Sequence, residues 1–203
     1  MNYWPAEPTN LSEMHLPFLN YIRAMAEKQP QWKQWAKLQG QNRGWTCFTE
    51  NNIFGGVSAF KNNYVIANAW YATHLWQHYR YTLDREYLKC VFPAMLSASQ
   101  FWMDRLKLAS DGTYECPNEW SPEHGPESEN GVAHAQQLVY DLFSNTLEAI
   151  EVLGDDAEVS ATDLATLKDR FSKLDKGLAT ETYTGYFGSA IPTGTKILRE
   201  WKY

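Results

Sequence analysis

The stretch that decides the fold is GVAHAQQLVYDLFSNTLEAIEVLG, which runs from Gly131 to Gly154. It contains no proline, and the apolar and small residues of one predicted face recur at the three- and four-residue spacing of an α-helix. This face carries Leu138, Leu142, Asn145, Ala149 and Val152. A glycine commonly ends a helix. The pattern therefore predicts one long helix that begins after Gly131 and ends at Gly154.

Similar patterns predict helices earlier in the chain. Asn10 and Ser12 are N-cap residue types for a first helix, which Pro17 is expected to interrupt or restart. A second helical pattern covers residues 31–38. A third lies within residues 60–81, where helical spacing is kept by Val65, Ala69, Ala72, Trp76 and Tyr79.

Caps and prolines predict the remaining helices. Asp84 is expected to cap a short helix that reaches Lys89, and Pro93 suits the first position of the next one. The face of that next helix carries Met95, Ser99, Trp102 and Leu106. A last helix is predicted to begin near Ser160 or Thr162, with Leu164, Leu167, Phe171 and Leu174 on one face. The predicted fold class is all-α, with paired helices.

Long loops rich in aromatic residues separate these helices. They are the opening segment around Trp4 and Glu7, residues 44–56, and residues 112–130, which follow a turn or very short hairpin at Asp111-Gly112. Aromatic residues make up 15% of the chain. In loops they indicate either a flat ligand such as a carbohydrate or a core into which the loops fold. Loops gathered at one end of helical hairpins would form a cleft.

Composition excludes several classes of function. The formal net charge of -6 argues against a nucleic-acid partner, which needs a basic surface. No apolar run approaches the roughly 18–20 residues that span a membrane, and no secretory signal follows Met1. The three cysteines have no metal-site spacing and predict ordinary thiols, or at most one disulfide with a spare: Cys47, Cys90 and Cys116.

The segment NEWSPEHGP, residues 118–126, carries the strongest candidate chemistry. A carboxyl group held against apolar neighbours has a raised pKa and can act as a general acid. The two carboxyl groups of the segment, Glu119 and Glu123, are the candidates for this role. Trp120 and Trp4 could stack on a sugar ring, or could equally pack between helices. The alternative for the whole segment is a surface loop with solvated acids.

Other polar residues are weaker candidates for binding a substrate. Glu7 could accept hydrogen bonds from sugar hydroxyls, or could stabilise a helix N-terminus. Asn51 and Asn52 suit hydroxyl recognition and turns alike. His124 could hold a sugar, orient Glu123, or be an ordinary loop histidine.

A metal site is not expected. His74 and His78 stand four residues apart, a spacing that can bind zinc, but the sequence shows no third ligand. No glycine-rich phosphate loop is present either, so no cofactor is predicted.

Four segments resemble glycoside hydrolase family 95 in their order and approximate spacing. They are NYWPAEPTNLSE at residues 2–13, HLWQHY at 74–79, SPEHG at 121–125 and QLVYDLF at 137–143. The resemblance covers most of the chain up to about Gly154. It implies an (α/α)6 barrel and an inverting exo-glycosidase, typically an α-L-fucosidase with relatives that act on α-L-galactosides. The resemblance implies that Glu123 matches the family's general acid, with Glu119 as the second choice.

The resemblance also predicts what this chain lacks. The family activates water with an asparagine upstream of NYW and an aspartate far downstream, and neither has a matching position here. We therefore expect residues 1–203 to form a single partial domain, the central portion of the barrel, which would self-associate or need a complementing chain. The parent would be periplasmic or secreted, and its partner an oligosaccharide or polysaccharide.

Two alternatives remain at this point. The chain could be a non-catalytic remnant or a glycan-binding helical half-domain. An (α/α)-barrel polysaccharide lyase would need a Tyr/His or Arg pair in place of the acid, and nothing in the sequence favours it.

Overall fold

The computed structural model describes residues 2–54, 64–121, 125–185 and 190–203. Within these ranges there are six α-helices: α1 Ser12–Glu27, α2 Gln31–Leu38, α3 Ala67–Thr82, α4 Arg85–Arg105, α5 Ala133–Leu153 and α6 Ala161–Ser172. A 3-10 turn, Gly154–Ala157, continues α5. Two short antiparallel hairpins complete the described structure: β1 Lys107–Leu108 with β2 Tyr114–Glu115, and β3 Thr180–Thr182 with β4 Lys196–Leu198. The expected all-α class is confirmed.

Helices α3, α4 and α5 pack against one another, and α1 packs against α3 and α4. The space between them is filled by aliphatic side chains and aromatic rings, and loop residues contribute to it. Trp45 and Phe48, from the loop after α2, are fully enclosed. Trp45 stacks on Trp32 with ring centroids 4.9 Å apart and donates its indole N–H to the carbonyl of Ala94. Part of the aromatic content of the loops is therefore core.

Two prolines that were expected to interrupt or begin helices instead lie inside them. Pro93 lies within α4, which is a single helix, and Pro17 lies within α1. A proline removes the hydrogen bond to the carbonyl four residues earlier. That residue is exposed in both cases, Lys89 for Pro93 and Glu13 for Pro17, so water can satisfy the carbonyl. The predicted boundary at Lys89 was wrong for this reason.

The predicted caps have mixed outcomes. Asp84 does cap α4, since its Oδ1 accepts the N–H of Tyr87 at 3.0 Å. Ser160 likewise caps α6. The predicted capping of α1 by Asn10 or Ser12 was wrong, because Leu11 holds the N-cap position without a side-chain bond and the Ser12 hydroxyl donates to Glu7.

Helix α5 confirms the helix predicted for residues 131–154. Its buried face, however, is only partly the face that was predicted. Leu142 and Ala149 are buried as predicted, while Val152 is exposed. The buried face is formed by Ala135, Val139, Leu142, Phe143, Thr146, Ala149 and Leu153. The turn at Asp111-Gly112 does connect a very short hairpin. None of the described helices has the length and apolar character required to cross a bilayer.

Candidate functional site

An open cavity of about 550 Å³ lies between α1, α3 and two loops. Helix α3 contributes Ala67, Trp70, Tyr71 and His74, which share one face because they recur at three- and four-residue spacing. The other rings in the wall are Tyr3, Phe18, Phe48 and Tyr64. The volume is in the range of about 300–1,000 Å³ that is typical of small-molecule sites.

The hydroxyl group of Tyr64 is the most unusual polar group in this wall. Tyr64 is buried, and its oxygen has no hydrogen-bond partner among the described residues. Burial, together with the nearby carboxyl of Glu119, raises the pKa of this phenol above its ordinary range, so it remains a donor. A buried polar group without a partner is rare. The oxygen is closed off from solvent, so a ligand would reach it only after the surrounding side chains moved.

A buried hydrogen-bond network lies behind the cavity. The Nδ1 atoms of His15 and His78 each lie 2.7 Å from the same Glu7 oxygen, Oε1. The Ser12 hydroxyl donates to the other oxygen. Burial alone would raise the pKa of Glu7, but the hydrogen bonds from Ser12, His15 and His78 outweigh it and lower the pKa. Glu7 is therefore an ionised carboxylate that accepts from three donors.

This network reaches the cavity through His74. The Nε2 atom of His15 lies 3.1 Å from Nδ1 of His74, whose ring lines the cavity wall. Burial is the main cause that lowers the pKa of His74 to about 4. His74 is therefore neutral at physiological pH.

The structure brings together a different set of possible metal ligands from the His74–His78 pair considered in the sequence. Glu7, His15 and His78 each offer one ligand atom, and these atoms lie within 4.8 Å of one another. However, the two nitrogens are at 2.7 Å from Glu7 Oε1, the distance of a hydrogen bond that contains a proton. Ligand atoms around a tetrahedral zinc ion at about 2.0–2.1 Å would be roughly 3.3 Å apart. The observed arrangement is that of a protonated network.

Glu119 lies in the core rather than in the cavity wall. Its side chain is 0% exposed, its Oε2 accepts the backbone N–H of Ile66 at 3.2 Å, and Arg105 is 3.6 Å from its other oxygen. Burial raises the pKa of Glu119 to about 8, although Arg105 and the backbone N–H groups oppose the rise. The raised pKa expected for this motif is thus found at Glu119, at a position that solvent does not reach.

Glu123 and His124 lie outside the described residues, but both flanks of their loop are placed. Glu119 and Glu129 exchange two backbone hydrogen bonds of 2.8 and 2.9 Å, which close the base of the loop. On one flank, the Ser121 hydroxyl donates to Glu200 at 2.7 Å.

The two candidate tryptophans have different surroundings. Trp120 is 4% exposed, and its ring meets that of Tyr64 edge-on, with centroids 6.2 Å apart. Trp4 is 46% exposed and stacks on Trp70 with centroids 6.3 Å apart. Trp120 thus supports the cavity wall from behind, whereas Trp4 lies beside the wall and has a surface that a ligand can reach.

The asparagine candidates form part of the loop that borders the cavity. Asn51 donates from Nδ2 to the carbonyl of Phe48 at 2.7 Å. Oδ1 of Asn52 accepts the backbone N–H of Phe54 at 2.9 Å, which is the bonding of a turn.

Sequence reasoning overlooked His15, Tyr64 and Phe18. His15 falls on the same helical face as Phe18 and Ile22, so its burial could have been found from the spacing of α1. Its contact with a helix 59 residues away could not.

Comparison with known protein families matches this chain to a catalytic domain of glycoside hydrolases. Residues 1–182 match the glycosyl hydrolase family 95 catalytic domain, and the chain belongs to this family. The resemblance inferred from the four motifs is confirmed.

Similar proteins are longer than this chain. It is 33% identical over its whole length to the "Probable alpha-fucosidase A" of Aspergillus niger, of which it covers 25%. It is 29% identical over 76% of its length to "Alpha-L-fucosidase 2" of Arabidopsis thaliana, of which it covers 20%. The chain therefore spans about a quarter or less of these relatives, and the prediction that it corresponds to only part of the family's length is confirmed.

Proposed function

We propose that this chain forms the sugar-binding part of an inverting glycosidase that releases terminal α-L-fucosyl or α-L-galactosyl residues from glycans. Membership of family 95 and the names of the relatives support this substrate class. The structural observation that carries the proposal is the ring-walled cavity, which has His74 in its wall.

The cavity combines two kinds of surface that a deoxy sugar needs. Ring faces such as those of Trp70 and Tyr71 suit the apolar C–H face and the C5 methyl group of a fucose. His74 offers a polar ring to hydroxyl groups. A site that hydrogen-bonds a sugar hydroxyl strongly rejects an analogue that lacks this hydroxyl. An apolar pocket only weakly rejects an analogue that carries an additional hydroxyl.

Glu123 is the proposed general acid, and the burial of Glu119 supports this choice. An acid must reach the leaving oxygen, and Glu119 is enclosed by the core. In an inverting enzyme, the acid and the group that activates water are about 6.5–9.5 Å apart. We propose that the activating asparagine and aspartate belong to parts of the catalytic domain without matching positions in this chain.

A second candidate function follows from the length of the match. Because the chain covers a quarter of its relatives and has no matching base, it could bind glycans without turning them over. Leu11, Met14 and Leu16 are exposed around the start of α1, which supports self-association or a complementing chain. Light scattering of the purified chain measures its oligomeric state directly.

The deciding experiment measures hydrolysis of 4-nitrophenyl α-L-fucoside and α-L-galactoside by the chain, Glu123→Gln and Glu127→Gln. Glu127 is an exposed carboxylate in the same loop and serves as the control. Turnover that is lost only in Glu123→Gln, with the β-anomer formed first by proton NMR, supports the enzyme. Binding of L-fucose without turnover supports the second candidate. Absence of both binding and turnover would contradict a sugar site.

A further inference from the structure

We propose that His74 binds a sugar hydroxyl in the aromatic cavity, and that Glu7 and His15 are positioning residues which fix the tautomer of His74. The identity of the ligand rests on the proposed function, whereas the fixed tautomer does not.

The first step is the protonation of His15. A carboxylate can only accept hydrogen bonds, so the 2.7 Å contact with Glu7 Oε1 places a proton on Nδ1 of His15. We take the His15 ring to be neutral, so that its other nitrogen, Nε2, carries a lone pair; a doubly protonated His15 would instead donate from Nε2. This lone pair is directed at Nδ1 of His74.

The second step concerns the proton of His74. Because Nε2 of His15 accepts, Nδ1 of His74 must carry the proton across the 3.1 Å contact. The low pKa of His74 keeps its ring singly protonated at neutral pH. Its Nε2 is consequently a hydrogen-bond acceptor, and no described residue donates to it. Sugar hydroxyl groups are donors that can fill this position.

The third step concerns the rings that connect the network to the cavity wall. Tyr3 stacks on His15 and on Phe18, with centroid distances of 5.5 and 4.6 Å. Phe18 meets His74 edge-on at 5.1 Å. Since Tyr3 and Phe18 line the cavity themselves, the wall and the network hold the His74 ring in one orientation. His74 therefore presents a preorganised acceptor.

His78 provides a matched control. It donates to the same Glu7 oxygen at the same distance as His15, but its Nδ1 is used for that bond alone and it is not hydrogen-bonded to His74. His15→Phe and His78→Phe each remove one hydrogen bond from Glu7. Only His15→Phe removes the acceptor for Nδ1 of His74.

The experiment records nitrogen-15 spectra of the histidine rings in the chain, His15→Phe, His78→Phe and His74→Gln, and titrates each with methyl α-L-fucoside. In the parent chain we expect a protonated Nδ1 and an unprotonated Nε2 on His74, and a shift of Nε2 on titration. His15→Phe should abolish the single tautomer and weaken binding about 3–10-fold, and His74→Gln should weaken it similarly, the range expected for one hydrogen bond. His78→Phe should retain both properties.

Each other outcome overturns a defined part of the proposal. A parent chain with the proton on Nε2 of His74 contradicts the proposal that Glu7 and His15 place this proton on Nδ1, even if no variant folds. Fucoside binding that His74→Gln leaves unchanged overturns the role of His74 while the proposed function stands. If His74 has a single tautomer but the chain binds no fucoside, the proposed function and the binding of a sugar by His74 are contradicted. The fixing of the His74 tautomer by Glu7 and His15 is then still established.

Discussion

The carboxyl group of Glu119 accepts the backbone N–H of Ile66, which lies 53 residues earlier at the N-cap of α3. The following turns of α3 carry Trp70 and His74 into the cavity wall. This bond therefore ties the loop with the proposed acid, Glu123, to the helix that would hold the sugar. The motif NEWSPEHGP thus combines a core anchor with a loop residue four positions later.

The Glu119 anchor should make stability depend on pH. Its folded pKa of about 8 lies above the ordinary value of 4.5, so the folded state holds an extra proton between these values. Stability must then fall as pH rises from about 4.5 to 8. Glu119→Gln keeps a neutral side chain and lacks this loss. Urea unfolding at several pH values should show Glu119→Gln gaining stability relative to the parent up to pH 8.

Parallel stability curves for the parent and Glu119→Gln would contradict the raised pKa. Glu119→Ala is the control for the anchor itself. It leaves the N–H of Ile66 without its partner, and it should be about 1–3 kcal/mol less stable than Glu119→Gln at every pH.

Glu7 should give the opposite pH dependence. Its folded pKa is lowered, so its contribution is complete above the ordinary value of 4.5 and is lost as pH falls through the folded pKa. Glu7→Ala removes the acceptor for two buried histidines and for the partly buried Ser12, and it should cost about 3–5 kcal/mol at pH 7. The difference from the parent should shrink below pH 4.5. Calorimetry across pH 3–7 measures it, and a difference that grows on acidification would refute the assignment.

The three cysteines are free, and only Cys90 is exposed. Burial raises the pKa of the Cys47 and Cys116 thiols well above the ordinary value, so they are protonated and inaccessible in the folded chain. A disulfide-exchange reagent at pH 8 should titrate one thiol in the native chain and three in guanidinium. Cys90→Ser should remove the native reaction. Rapid reaction of a second native thiol would show that the core opens.

Local patterns in the sequence predicted the helices well, because burial repeats with the helical period. Ala69, Ala72 and Trp76 are buried as their spacing indicated, and Asp84 caps its helix. The break expected before Pro93 failed, because a proline inside a helix is tolerated where the orphaned carbonyl can reach water.

The candidate site was only partly predictable, because its contacts join distant segments. Glu7 and His78 are 71 residues apart, and no local pattern distinguishes this pairing from the adjacent His74. Loop aromatics were equally ambiguous. Phe48 and Trp120 are buried while Trp4 is not, and this depends on how the loops fold onto α3.

Gly44 provides a test of how the loop that borders the cavity is held. Its φ is +80°, and an added Cβ would lie 2.5 Å from Cβ of Phe101 and from the carbonyl oxygen of Ser97 on α4. Gly112 has a similar φ of +85° with nothing within 4 Å. Both alanine variants incur the cost of a left-handed backbone, about 1–2 kcal/mol. Gly44→Ala also forces the loop away from a helix backbone, which should add about 1–3 kcal/mol.

Urea unfolding of Gly44→Ala and Gly112→Ala separates these two costs. Both variants have the unfavourable left-handed backbone, but only Gly44→Ala also has the steric clash with α4. The displaced loop carries Trp45 and Phe48, so Gly44→Ala should also weaken binding of methyl α-L-fucoside, while Gly112→Ala should not. Equal destabilisation of the two variants would mean that the close approach to α4 contributes nothing. In that case the cavity wall would have to be held by the interior rings alone.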